Sequence, residues 1–287
     1  MRFGITILPE TSWREAEPRW RAAEELGFDH AWTYDHLVWA GLPDSPWFGA
    51  LPTLTAAALV TRRIRLGTFV SSPNYRHPYV FARDLMALDD ISGGRLTCGL
   101  GTGGDLDATI LGDGLSLRTR VERFHEFVGL LDQLLREDHV EHRGAHYATV
   151  DARTLPGPVQ RPRIPFLVAA NGPRALRLAA EQGQGWVTYG LGGDTLEEWW
   201  TGIATLVSRL DEAEREVGRD TPLDRVLSLD GSPRFSLEGV GLFEEMTGRA
   251  GELGFTDVVT HWPRHEGVYA GREAVLEEVA SRLPDLA

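Results

Sequence analysis

The chain of 287 residues contains no lysine; all 29 of its basic residues are arginine. A bias of this kind fits a GC-rich genome, and it removes whole chemistries whatever its origin. Without an ε-amine there is no Schiff base to a carbonyl substrate, no attachment point for pyridoxal phosphate and no P-loop lysine. Cysteine is nearly as scarce. Cys98 stands alone, which excludes an internal disulfide framework and a cysteine zinc ribbon and suits a reducing cytoplasm. No apolar run approaches the roughly 20 residues of a membrane-crossing helix. The opening Met1-Arg2-Phe3-Gly4-Ile5 reads as the start of a strand, not as a leader peptide. A basic surface is also missing: 42 acidic residues give a formal charge of −13, whereas phosphate-backbone binding needs clustered positive charge. The expectation is a cytoplasmic protein whose partner is a small molecule, with no nucleic acid and no membrane.

What is present is ordinary globular material, 42% hydrophobic and 25% charged, so disorder is excluded. It is arranged in a recurring rhythm: a short β-rich run, a Gly- or Pro-containing loop, then an amphipathic helix. Runs at Phe3–Leu8, His30–Tyr34, Ile64–Val70 and Leu96–Leu100 predict four strands, and those at Phe166–Ala170, Gly185–Tyr189, Val226–Leu229 and Asp257–His261 predict four more. Between them, helices open at the Ser12-x-x-Glu15 capping box, at Pro52, Pro78, about Leu117 and Pro173, and near Leu196, Ser236 and Gly271. Eight such units at about 35 residues each predict a (β/α)8 TIM barrel, with a doubly wound open sheet as the alternative. A polar, Pro-rich interruption at about 136–165 reads as a hairpin plus an extended arm. It is too short to fold alone, so residues 1–287 are expected to form a single domain.

In such a barrel the chemistry sits just after the strands, at their C-terminal ends. Tyr34-Asp35-His36 follows the second strand, where a carboxylate beside an imidazole can fix a tautomer or supply an acid/base pair; a capping aspartate and a structural histidine are the plain alternative. After the third come Ser71-Ser72-Pro73-Asn74-Tyr75-Arg76-His77-Pro78, polar groups held between two prolines, which could equally be a solvated connector. After the fourth, Gly99-Leu100-Gly101-Thr102-Gly103-Gly104 has dinucleotide-loop spacing, but the segment from Asp105 is not expected to open a helix at once, as a pyrophosphate site requires. The loop then reads as backbone brought close to a flat ligand, with Asp107 nearby. After the fifth, Ala169-Ala170-Asn171-Gly172-Pro173-Arg174 runs into a helix start whose free amides suit a phosphate, aided by Arg174 or Arg177. His261 ends the eighth strand and points toward the mouth. His139, Glu141, His142 and His146 lack metal-ligand spacing, so no metal is expected. Cys98 and the Trp199-Trp200 pair read as core.

Taken in order, five of these segments resemble the luciferase-like flavin- and deazaflavin-dependent oxidoreductases. They are Tyr34-Asp35-His36; Leu66-Gly67-Thr68-Phe69-Val70-Ser71-Ser72-Pro73 with Arg76-His77-Pro78; Gly93-Gly94-Arg95 leading to Gly99-Leu100-Gly101-Thr102-Gly103; Pro158-Val159-Gln160-Arg161-Pro162; and Ala169-Ala170-Asn171-Gly172-Pro173. The resemblance spans nearly the whole chain. It implies a TIM barrel with an insertion after the fourth unit and a non-proline cis peptide at Phe69-Val70, a bulge supporting the back of an isoalloxazine-like ring. It further implies coenzyme F420, or FMN as the alternative, with His36 as proton donor beside the reactive carbon. Asp35, Ser72 and Asp107 would contact the cofactor, as would the Gly101-Thr102-Gly103 loop, and Ala170, Asn171 and Gly172 would hold the phosphoribityl end. Gly104 stands where sugar-phosphate dehydrogenases of this family place a glutamate base, and their substrate-binding lysines have no counterpart, so a sugar phosphate is rejected and the base is unassigned. Three functions follow as expectations: hydride transfer between F420 and a small organic substrate; an FMN-dependent monooxygenase served by a separate reductase; or a non-catalytic ligand-binding barrel. The resemblance also implies a homodimer. Substrate choice would lie in the loop 38–48, with Trp39, Trp47 and Phe48, and in the 136–165 insertion.

Overall fold

Short apolar strands separated by amphipathic helices need cover on both faces, and a parallel sheet obtains it by closing on itself inside a ring of helices. A computed structural model describes residues 1–286. Its strands are β1 (Arg2–Thr6), β2 (His30–Thr33), β3 (Arg65–Thr68), β4 (Leu96–Leu100), β5 (Val140–Arg143), β6 (Ala148–Ala152), β7 (Phe166–Ala169), β8 (Gly185–Thr188), β9 (Asp224–Ser228) and β10 (Asp257–His261). Eight of them close an all-parallel barrel in the order β1-β2-β3-β4-β7-β8-β9-β10, with β10 returning to β1, while β5 and β6 pair as a separate antiparallel hairpin. This is the TIM barrel, and the open-sheet alternative is set aside. The helices are α1 (Trp13–Glu25), α2 (Ala50–Val60), α3 (Pro78–Ser92), α4 (Asp105–Ile110), α5 (Leu117–Leu134), α6 (Pro173–Gln182), α7 (Leu196–Val217), α8 (Val240–Glu252) and α9 (Glu273–Leu286).

The Ser12/Glu15 capping box opens α1, and a second one, Thr195/Glu198, opens α7. Trp199 and Trp200 are buried under α7, and Cys98 is fully buried in β4, where burial pushes its thiol pKa up; all three belong to the core. One local expectation fails. The glycine loop after β4 does open a helix at once, because Gly104 serves as the N-cap of α4. The dinucleotide reading is excluded instead by topology, since β4 lies in a closed barrel between β3 and β7.

Alternation along the strands fills the interior in layers. At the N-terminal end, His30 Nε2–H donates to Asp257 Oδ1 at 3.0 Å and Arg2 pairs with the same carboxylate at 2.7 Å. Trp32 Nε1–H donates to His30 Nδ1 at 2.6 Å. In the middle, Trp32 packs on Leu167, Val187, Val226 and Val259. Glycines on the adjoining strands make room for the two large inward groups. A Cβ on Gly4 would lie 2.2 Å from the His30 ring, and one on Gly67 would lie 2.3 Å from Trp32 and 2.5 Å from the Thr97 carbonyl oxygen. Gly67→Ala should therefore cost about 1–3 kcal/mol by overpacking and lower the melting temperature by roughly 2–10 °C. Thermal denaturation against the wild type checks it.

The interruption at 136–165 is the hairpin and arm expected. Glu126 of α5 fastens the hairpin turn, accepting from the amides of Ala145, His146 and Tyr147 at 3.0, 3.0 and 2.8 Å and from His142 Nε2 at 3.2 Å. His139 pairs with Asp151 across the same hairpin. The arm contains cis bonds at Leu155-Pro156 and Arg161-Pro162.

Candidate active site

Two residues beyond the Trp32 layer the same alternation brings a last inward layer to the C-terminal mouth. It is chemically divided. From β3, β4 and β7 it receives Phe69, Gly101 and Ala169, with Val70 beside them; Phe69, Val70 and Ala169 are half-buried and rest on the Trp32 cluster. From β1, β2, β9 and β10 it receives Thr6, Tyr34, Ser228 and His261. The mouth thus has an apolar half and a polar half. The Phe69-Val70 peptide is cis, as the resemblance implies. The β4 glycines admit this bulge: a Cβ on Gly101 would lie 2.6 Å from a Val70 methyl.

His36 stands at the rim with a quarter of its side chain exposed. Its Nδ1–H donates to Asp107 Oδ2 at 2.8 Å, and Asp107 Oδ1 accepts from the amides of Leu37 at 2.8 Å and Val38 at 3.4 Å. Burial alone would raise the Asp107 carboxyl, but the histidine and the two amides outweigh it and hold it below its ordinary value. An ionised Asp107 fixes the His36 tautomer, leaving Nε2 as the ring's free nitrogen. Asp107 is 1% exposed and both its oxygens are engaged, one of them by His36.

Asp35 is likewise buried, at 2% exposure. Its Oδ2 accepts from Ser71 Oγ, and its Oδ1 accepts from Tyr75 Oη and Arg76 Nη2, each at 2.7 Å. It pins the β3 loop under the rim. Ser72 is also buried, and its Oγ accepts from the Asn74 amide at 3.4 Å. Asn74 Nδ2 donates to the Gly104 carbonyl at 2.8 Å, while its Oδ1 is buried with no partner. Gly103 lies against this group at φ +77°, where a Cβ would be 2.5 Å from Asn74 Nδ2. Thr102 is half-buried alongside.

Further round, Asn171 bridges β7 to the loop after β8. Its Oδ1 accepts from Thr188 Oγ1 at 2.7 Å and its Nδ2 donates to the Gly190 carbonyl at 2.8 Å. Ala170 is buried beneath, its carbonyl accepting from Trp186 Nε1. Gly172 caps α6 with Pro173 in the first turn and no side chain over the helix end, and Arg174 is exposed beside it. Pro173 has no N–H and the Leu176 amide donates to the Gly172 carbonyl, which leaves the amides of Arg174 and Ala175 for an anion. Arg177 is engaged by Glu181 at 2.8 Å.

In the polar half the structure adds residues that the sequence reading missed. His261 Nδ1–H donates to Asp230 Oδ2 at 2.8 Å, and Tyr34 Oη–H donates to His261 Nε2 at 2.8 Å. Tyr269 stacks on His261 at 3.8 Å and its hydroxyl lies 3.2 Å from that of Tyr34. Burial pushes the Tyr269 phenol up to about 12. Asp230 lies two residues past the end of β9, so the strand-end criterion applied to every strand would have found it; Tyr269 lies deep in a loop and carried no such signal.

The profile of the luciferase-like monooxygenase family matches residues 1–230. The chain belongs to this family. Among its relatives, an F420-dependent glucose-6-phosphate dehydrogenase of Kineococcus radiotolerans is 34% identical over 220 residues, covering 75% of this chain and 64% of the relative. A 5,10-methylenetetrahydromethanopterin reductase of Archaeoglobus fulgidus is 32% identical over 187 residues, covering 64% of this chain and 52% of the relative. The matches to this luciferase-like chain thus span between about half and two thirds of those relatives' length. The solved structure of the coenzyme F420-dependent tetrahydromethanopterin reductase from Methanopyrus kandleri superimposes with a TM-score of 0.80 at 20% identity, covering 100% of this chain and 99% of that one. That likeness shows the shared barrel. No helix among the described residues is long and apolar enough to cross a membrane.

Proposed function

We propose that this luciferase-like chain is an oxidoreductase that moves a hydride between a deazaflavin of the coenzyme F420 type and a small organic substrate. The observation that carries the reading is the His36–Asp107 dyad, an oriented imidazole on the rim of a mouth whose other half is apolar. The names of the two relatives above support the choice of deazaflavin.

The residues present fit such a cofactor. Phe69, Val70, Gly101 and Ala169 offer an apolar bed for a flat ring. The unpartnered Asn74 Oδ1, with the Ser72-Gly103 turn, offers an acceptor to its polar edge. Gly172, the free amides of α6 and Arg174 suit a phosphate-bearing tail, with Asn171 holding that turn in place. When bound, the deazaflavin supplies the hydride chemistry. The protein's part is to orient, to exclude water and to manage a proton. His36 Nε2 gives or takes that proton, and Asp107 stabilises the imidazolium form. A cytoplasmic setting suits the lone buried Cys98, and a homodimer accords with the family resemblance.

Asp107→Asn removes the charge but keeps the shape. It should lower turnover roughly 10–100-fold while leaving cofactor affinity near that of the wild type. The stability cost has a defined sign. Because the Asp107 pKa is lowered in the folded state, its contribution is full above the ordinary aspartate value of 3.8 and is lost as pH falls through the depressed one. Melting curves of the wild type and the variant should differ at neutral pH and converge only in strong acid.

Anaerobic mixing with oxidised deazaflavin and a panel of uncharged alcohols tests the function itself. Substrate-dependent loss of the deazaflavin's visible absorbance is the expected result. Oxygen consumption with reduced FMN, and no reaction with the deazaflavin, would assign the chain to oxygen chemistry instead.

A further inference from the structure

The polar half of the mouth holds a second acid/base array that the His36 reading leaves unused. We propose that Tyr34, backed by His261 and Asp230, is the proton acceptor for the substrate's hydroxyl, and that the substrate is an uncharged alcohol with a flat apolar body. This inference rests on the hydride-transfer reading above and assigns the base that Gly104 leaves vacant.

Each donor in the array has a defined direction. Asp230 Oδ2 accepts from the backbone amide of His261 at 2.8 Å and from His261 Nδ1–H at 2.8 Å, and Asp230 Oδ1 accepts from the Ser236 amide at 2.8 Å. The His261 tautomer is thereby set, with its Nε2 lone pair facing Tyr34. Tyr34 gives its own proton to that nitrogen, so its oxygen is left as an acceptor. Tyr269 lies on one lone pair at 3.2 Å, and the other has no protein partner among the described residues. The Asp230 and His261 side chains are fully buried, and Tyr34 is a half-buried residue just past the end of β2. A carboxylate, an imidazole and a phenol in series form a relay rather than a surface ion pair. The residues facing Tyr34 are His261 from β10, Tyr269 from the following loop, Asp230 beyond His261 and His36 on its own rim. Burial, then Tyr269 and Asp230, raise the Tyr34 phenol well above its ordinary value. A standing phenolate is therefore disfavoured, and a proton arriving at Tyr34 must be matched by one leaving it for His261.

The step balances. The alcohol's C–H leaves as hydride to the oxidised deazaflavin, and its O–H proton goes to the Tyr34 oxygen. The proton of Tyr34 moves to His261 Nε2, and the imidazolium is held by Asp230. The products are the carbonyl compound and the reduced cofactor, with His36 left to serve the cofactor's own proton. The reverse sequence reduces the carbonyl.

The surroundings define the substrate's body. Trp39 lies edge-on to Tyr34 at 5.1 Å and stacks on Tyr269 at 6.0 Å, with Trp47 at 6.2 Å behind it, so a flat apolar group meets aromatic walls. Arg264, on the loop that carries Tyr269, is forked onto Glu10 at 2.7 and 2.9 Å and is not free for a phosphate or carboxylate.

The test uses the full chain, oxidised deazaflavin and α-methylbenzyl alcohol as probe. Binding of the deazaflavin is measured by gel filtration and of the alcohol by tryptophan fluorescence, turnover by deazaflavin absorbance, and folding by thermal melting. The expected result is that Tyr34→Phe stays folded and binds deazaflavin like the wild type but loses about 10²-fold or more in turnover. His261→Gln should lose a comparable factor, and in both variants the solvent deuterium effect on turnover should change, which a packing role would not produce. Deazaflavin retention by a wild type that neither binds nor oxidises the alcohol overturns the proposal. So does wild-type turnover by Tyr34→Phe. Failure of the wild type to retain deazaflavin overturns the hydride-transfer reading and this proposal with it.

Discussion

His36→Ala should retain the deazaflavin and lose turnover by about 10²–10⁴-fold, the range expected when a positioned proton-transfer group is removed. The two effects separate because His36 carries only one part of the site. The apolar bed comes from Phe69, Val70, Gly101 and Ala169, and the anion site from Gly172 and the first turn of α6, none of which His36 supports. What the variant loses is the imidazole that Asp107 orients, and it leaves Asp107 buried with one fewer donor. Equilibrium binding of the deazaflavin beside steady-state turnover checks the split. Unchanged turnover would remove His36 from the chemistry, whereas a matching loss of affinity would make it a binding residue.

The second large effect is structural. Asp35→Ala should destabilise the chain by about 3–5 kcal/mol, because it strands a buried guanidinium without its carboxylate. Arg76 has only 14% of its side chain exposed and lies over the Tyr75 and Phe81 rings at 4.2 and 5.0 Å. Its Nη1 already lacks a partner, so no second acceptor stands ready. Ser71 and Tyr75 lose the same anchor, and with them the loop that carries Ser72 and Asn74. A fall of roughly 6–20 °C in melting temperature follows from that cost. Asp35→Asn, which keeps an acceptor, should lose less. If Asp35→Ala melted like the wild type, the carboxylate would not be the pin of this loop.

Much of this was legible in the sequence, for physical reasons. Strand and helix periods differ enough that eight alternating units could be counted, and buried parallel strands read as short apolar runs with glycine at their ends. The strand-end rule then assigns Tyr34, His36, Ser72, Asn171 and His261 to one rim. What sequence could not give is which partner each polar group takes. Asp35 lies 36 to 41 residues from the groups it holds and Asp107 lies 69 to 71 from its own, and the resemblance placed both on the ligand. In the structure both carboxylates are buried and accept from protein donors. The helix at Asp105 was missed because its start signal is a glycine N-cap with no side-chain cap behind it. The Asp230–His261–Tyr34 array joins β9, β10 and β2, a meeting set by barrel closure and by no local spacing.

Competition between cofactors tests the central claim most directly. The chain is equilibrated with equal amounts of an F420-type deazaflavin and FMN, separated by gel filtration, and the absorption spectrum of the protein peak is recorded. Co-elution of the deazaflavin in preference to FMN, retained in His36→Ala and weakened by Gly172→Val at the α6 anion site, is the expected result. A protein peak carrying FMN alone, or no cofactor, would contradict it.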